Sequence, residues 1–193
     1  HWEEAAKAAE AGLKVNPRHL GLLANLAAAH TRLSHFEKRD ELIKSAERIN
    51  PRPGGFYLTL GEWEANSRQY AQAEAYFRKA IELTPWNPNP RTSLGMVFMQ
   101  TGHEDRAEKL LDEAFSIDSF NARTLNMLKL MDRLATFETL EGRNCIIKFD
   151  DSQDAVLGPY FRDYIDRVYD EICRDYNIKL DRKPIIEIFP THQ

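Results

Sequence analysis

The chain has 193 residues, 42% hydrophobic and 29% charged, with 26 Lys+Arg against 30 Asp+Glu and two cysteines. At roughly 100–200 residues per domain this is one domain or two small ones, with enough apolar content to bury a core and exclude a disordered chain. A net charge of −4 gives no electrostatic reason for a nucleic-acid partner; two cysteines exclude a disulfide-stapled scaffold; and no run approaches ~18 apolar residues, so no membrane span is expected.

The chain opens at His1, inside what reads as a helix, without an initiator Met, and is expected to be a piece of a longer protein. It reads as soluble, with the compartment open between cytoplasm and periplasm. A single stride then organises the first two thirds. Pro17, Pro51 and Pro85 stand 34 residues apart, with Ser119 at the next step. Gly12, Ala46, Ala80 and Ala114 keep the same interval, as do Ala27, Gly61 and Gly95, and Ala5, Arg39, Ala73 and Ala107. A fixed period of this length is the mark of stacked helical units. The unit at 54–87 carries Tyr57, Leu60, Gly61, Ala73, Phe77, Ala80 and Pro85. The unit at 88–121 carries Leu94, Gly95, Phe98, Ala107, Leu111 and Ala114. The unit at 20–53 is weaker, with Leu23, Leu26, Ala27, Ile43, Ala46 and Pro51, and with Arg39 where a small residue is usual. Residues 1–19 read as the second helix of an earlier unit and 122–135 as one more first helix.

These residue types have physical reasons. Gly61, Gly95, Ala73 and Ala107 let two antiparallel helices approach closely, and Phe77 and Leu111 fill the space between them. The spacing of Leu94, Val97 and Phe98, and of Ala107, Leu110, Leu111 and Ala114, is that of half-buried helices. Asn50-Pro51 and Thr84-Pro85 end helices, because proline lacks the N–H that would continue them. Gly102 marks the turn inside its unit.

The pattern resembles the tetratricopeptide repeat, W-x2-L-G-x2-Y followed by A-x3-F and P, with Tyr57 in place of Trp and Glu64 in place of Tyr. The resemblance implies an all-α repeat solenoid of about three and a half helix pairs over residues 1–136, whose units share stability by stacking.

After Ala135 the rhythm stops. Glu141-Gly142-Arg143-Asn144 is a turn signal between two short runs, the second of which, Cys145–Phe149, reads as a strand. Asp150-Asp151-Ser152 is placed to cap the next helix. Leu157, Tyr160, Phe161, Tyr164, Ile165, Val168, Tyr169 and Ile172 form its wide apolar stripe, with Pro159 at its first turn or a kink. Pro184–Pro190 encloses a last strand. Residues 137–193 thus read as a small, incomplete α+β segment. They carry the whole net charge, since residues 1–136 hold 18 acidic and 18 basic side chains.

The motifs Cys145–Asp150, Leu157-Gly-Pro-Tyr160, Val168-Tyr-Asp-Glu171 and Pro184–His192 resemble the opening of the peptidase-MA-like (gluzincin) zinc metallopeptidase domain, which bacterial proteins place directly after tetratricopeptide repeats. That family draws its zinc ligands from a His-Glu-x-x-His helix further along, so the resemblance puts no catalytic residue in this chain and leaves zinc to a longer protein.

Within the chain no metal or other cofactor is expected. The histidines make no His-x3-His, and His30 and His35 are five apart, off a shared helical face. Cys145 and Cys173 read as buried free thiols, with pairing open if the helix packs on the strand. No P-loop, G-x-G-x-x-G or G-x-S-x-G is present, so no enzyme is expected in this chain. Lys38-Arg39-Asp40-Glu41 reads as a solvated face. The tetratricopeptide resemblance implies instead a concave surface, lined by the first helices, that receives a protein or peptide. Carried onto this chain, its lining is Ala28, Thr31 and Arg32; Leu58, Glu62 and Asn66; Thr92, Met96, Met99 and Gln100; and Asn126 and Arg133. The adaptable thioethers of Met96 and Met99 suit varied apolar partners. Whether a separate partner or the rest of the same polypeptide occupies that surface stays open. The leading expectation is a non-catalytic binding scaffold; the alternative is the substrate-recruiting repeat region of a larger zinc metallopeptidase.

Overall fold

The structure, a computed structural model, describes residues 1–150, 156–180 and 182–189. They form helices α1 (Trp2–Val15), α2 (Leu20–Arg32), α3 (Phe36–Ile49), α4 (Gly54–Asn66), α5 (Tyr70–Leu83), α6 (Asn89–Gln100), α7 (Glu104–Ile117), α8 (Ala122–Ala135) and α9 (Leu157–Asp175). Three strands accompany them: β1 (Glu138–Glu141), β2 (Ile146–Phe149) and β3 (Ile185–Ile188). The chain divides into two compact units, His1–Met127 and Leu128–Gln193.

In the first unit the stride is visible in the backbone itself. The N–H groups of Asn16, Asn50, Thr84 and Asp118 close the last turns of α1, α3, α5 and α7 on the carbonyls of Gly12, Ala46, Ala80 and Ala114. The side chains of Asn16, Asn50 and Asp118 then accept the N–H two residues further on, which folds the joint back on itself. Proline follows three of these caps, where no helical N–H is needed. The turn inside each pair is equally periodic. Ser34, Arg68 and Gly102 all take left-handed backbone, with φ of 59°, 59° and 70°.

Each pair is tight because its contact positions are small. A Cβ built on Gly61 would lie 2.5 Å from the Phe77 ring, and one on Gly95 would lie 3.0 Å from Leu111 Cγ. Ala73, Phe77, Leu94, Ala107 and Leu111 are all buried. Burying a side chain such as Phe77 contributes about 1.5–3 kcal/mol.

Polar links tie successive pairs together. The Arg32 guanidinium on α2 donates to the Glu64 carboxylate on α4, whose side chain is 3% exposed. Tyr57 Oη donates to Glu47 Oε1 at 2.7 Å, and the buried hydroxyls of Thr92 and Thr124 lie 2.7 Å apart.

In the second unit β1 pairs antiparallel with β2, and β2 pairs parallel with β3, in the order β1-β2-β3. The return from β2 to β3 passes through α9, as a parallel pair requires. Cys145, Ile147 and Phe149 form the core under α9, joined by Leu140, Ile165, Ile186 and Ile188. Gly158 lets α9 lie against the Phe149 ring, 2.4 Å from where its Cβ would be. The Asp166 carboxylate on α9 accepts the backbone N–H groups of Arg143 and Asn144 at 2.8 and 2.6 Å, pinning the β1–β2 turn. Burial alone would raise its pKa, but those two bonds hold it below the usual carboxylate value.

Helix α9 starts with Val156 in the N-cap position and Pro159 in its first turn. Asp150 is therefore not its cap, and the proposed cap residues Asp151 and Ser152 lie outside the described residues, as do Pro190 and His192. Both cysteines are free thiols; Cys145 faces Asp166, while Cys173 is only half-buried, which corrects the expectation of two buried thiols.

Candidate functional site

In the first unit, α4, α6 and α8 bring their side chains to one hollow. A cavity of about 200 Å³ is lined by Glu62, Ala65 and Asn66 of α4, by Ser93, Met96, Val97 and Gln100 of α6, and by Arg123 of α8, with Phe77 of α5 showing through. Four residues expected from the sequence meet here: Glu62, Asn66, Met96 and Gln100. Asn66 and Gln100, one period apart, are exposed.

Arg123 organises the polar wall. Its guanidinium donates to Met96 Sδ at 3.2 Å and to Ser93 Oγ at 3.3 Å, and lies 3.8 Å from Glu62 Oε1. Burial pushes the Glu62 carboxyl up, while Arg123 pulls it the other way. The hollow therefore offers two amides, a thioether and an acid–base pair. The sequence reading missed Arg123. It lies one helical turn before Asn126, which was singled out, so the i, i+3 spacing carried the signal.

Other expected lining residues sit elsewhere. Ala28 is 1% exposed, part of the buried core cluster against which Trp63 packs. Trp63 donates to Asn25 Oδ1 and meets the Trp2 ring edge-on at 5.4 Å, so α1, α2 and α4 close together there. Thr92 is fully buried against Thr124. Arg32 is engaged by Glu64, Thr31 bonds back to Ala27 O, and Leu58 packs on the core. Met99 and Asn126 lie outside the cavity lining, and Arg133 belongs to the second unit.

His30 and His35, read as separated, are neighbours. The turn between α2 and α3 brings their Nδ1 atoms to 3.4 Å, His30 being buried. Among the described residues no group of three or more His, Cys, Asp or Glu is arranged to hold a metal ion.

Residues 66–129 match the family model of the tetratricopeptide repeat. Over that segment the chain is similar to tetratricopeptide repeats. Cellulose synthase operon protein C of Pseudomonas fluorescens (strain SBW25) is 36% identical over 72 residues, covering 37% of this chain and 6% of that protein. BBSome complex member BBS4 of Bos taurus is 25% identical over 112 residues, covering 58% of this chain and 21% of that protein. The chain thus spans a minor part of the curated relatives it matches. Among solved structures, a thermophilic TPR protein of Thermus thermophilus superimposes with a TM-score of 0.51 at 23% identity, over 67% of this chain and 72% of that one, and shares the fold. The tetratricopeptide array is consistent with a protein-interaction scaffold. No helix among the described residues is long and apolar enough to cross a membrane.

Proposed function

We propose that the array is a non-catalytic scaffold whose α4–α6–α8 hollow binds an extended segment of a protein or peptide. The observation that carries this reading is the pair of exposed amides, Asn66 and Gln100, flanking a cavity that Met96 and Arg123 complete. Amides spaced along a groove suit the alternating donors and acceptors of an extended main chain, and methionine adapts to different side chains. The test is a pull-down in which an Asn66→Ala, Gln100→Ala double variant loses partners that the wild-type chain retains. Retention of every partner by a folded double variant would remove this hollow as the site. The second reading, a substrate-recruiting region of a larger zinc metallopeptidase, rests on the motif order between Cys145 and His192; zinc content of the full-length gene product tests it.

A further inference from the structure

A larger cavity of about 460 Å³ lies between the second helices of adjacent repeats, with Arg78 and Ile81 of α5 on one wall, Arg106, Lys109 and Leu110 of α7 on the other, and Phe98 of α6 between them. The stride explains why it exists. One period before Leu110 stands Tyr76, whose ring is 9% exposed, 6.1 Å from the Tyr57 ring, and within electrostatic reach of Arg39 and Asp40 on α3. There the large ring occupies the space between second helices; Leu110 is too small to do the same.

The crevice is lined by three cations, Arg78, Arg106 and Lys109, against two carboxylates, Glu82 and Glu113. Arg78 and Arg106 share the Glu74 carboxylate, at 2.7 and 2.9 Å, and Arg106 is held over the Phe98 ring at 3.8 Å. The acidic residues at its rim are already neutralised from outside it, Glu82 by Lys79 and Glu113 by Arg91. Lys109 is exposed on the α7 wall. With Glu82 and Glu113 set against Lys79 and Arg91, and the single Glu74 carboxylate against both Arg78 and Arg106, the Arg78, Arg106 and Lys109 cations outnumber their carboxylate partners by two beside an apolar floor, within a volume in the range of roughly 300–1,000 Å³ typical of ligand sites.

We propose that this crevice is a second binding site, separate from the concave hollow, for an acidic peptide segment that inserts one bulky apolar side chain between Ile81 and Leu110 and sets carboxylates against Arg106 and Lys109. The arginine stacked on Phe98 is preorganised, so a carboxylate meets donors already in place.

Fluorescence anisotropy of the 193-residue chain with three labelled peptides tests this: an Asp/Glu-rich peptide with a central Phe, the same peptide with Lys at every acidic position, and the acidic peptide with a central Gly. The first binds saturably and more weakly as salt rises; the other two do not. Leu110→Tyr, which places the ring of Tyr76 in the crevice, and the exposed charge reversal Lys109→Glu each weaken binding by at least about tenfold. Asn66→Ala, Gln100→Ala leaves it unchanged. Equal binding of the basic peptide, no saturable binding of the acidic one, full binding to folded Leu110→Tyr or to Lys109→Glu, or loss in the Asn66→Ala, Gln100→Ala variant would each overturn the proposal.

Discussion

The backbone of Gly61 lies directly against the ring of Phe77: a methyl group there would sit 2.5 Å from the ring edge, and the ring is 1% exposed and has nowhere to turn. Gly61→Ala is therefore expected to destabilise the first unit by about 1–2 kcal/mol, overpacking outweighing the better helix propensity of alanine. Gly95 faces the more pliable Leu111 at 3.0 Å, and Gly95→Ala should fall within about 1 kcal/mol of neutral. Gly55 has open space around it, and Gly55→Ala should stabilise by roughly 0.5 kcal/mol. Urea midpoints for the three variants check the order; Gly61→Ala at or above wild type would contradict it.

Left-handed backbone recurs at Ser34, Arg68 and Gly102, yet only the last is glycine. The first two bear a Cβ in a conformation that L-residues avoid. Ser34→Gly and Arg68→Gly should each stabilise by about 0.5–1 kcal/mol, while Gly102→Ala costs a similar amount. Thermal unfolding of the two stabilised variants singly and together measures this, with near-additive gains expected from sites this far apart.

The Arg32–Glu64 pair joins two repeats across a nearly dry contact. Arg32→Ala leaves the Glu64 carboxylate buried without its cation, which costs about 2–4 kcal/mol. Adding Glu64→Gln recovers most of that loss, because the stranded charge is removed. A double-mutant cycle in urea gives the coupling, and a harmless Arg32→Ala would show the pair to be ornamental.

His30 gives the first unit a pH dependence of defined sign. Burial, then Lys38 and His35, hold its imidazole below the ordinary value, with Glu10 opposing. The unfolded chain therefore takes up its proton first, at about pH 6.5. The contribution to stability is whole above that pH and declines as pH falls towards the lower folded value. Between about pH 7.5 and 5.5 the wild-type urea midpoint should drop further than that of His30→Gln; parallel curves would refute the assignment.

How much of this was legible in the sequence follows from the range of each interaction. The 34-residue stride exposed the helix pairs, their small contact residues and the prolines past each cap, because those requirements are local and repeat. The same stride gives Asn66, Met96 and Gln100 their matching positions on α4 and α6, and they line one cavity. Arg32 was assigned to the groove because its helical phase is right, but its partner Glu64 sits in the next repeat, where no local spacing reveals it. Ala28 and Thr92 share that phase but are buried, Ala28 within the core cluster and Thr92 against Thr124 of the next repeat. His30 and His35 were kept apart by counting along one helix, whereas the left-handed turn at Ser34 folds two helices back on each other.

The recurring left-handed turns and capped Asn-Pro joints also govern how this molecule tolerates change in length. Adding or deleting one residue inside a helix rotates everything beyond it by about 100°, turning buried alanines outward and charged side chains inward through the remainder of that helix. The joints impose no such phase. Evolutionary insertions, epitope tags or loop grafts therefore belong at Ser34, Arg68 and Gly102 or just beyond the capping residues, and a scan of single-residue insertions would trace the architecture as alternating stretches of intolerance and indifference.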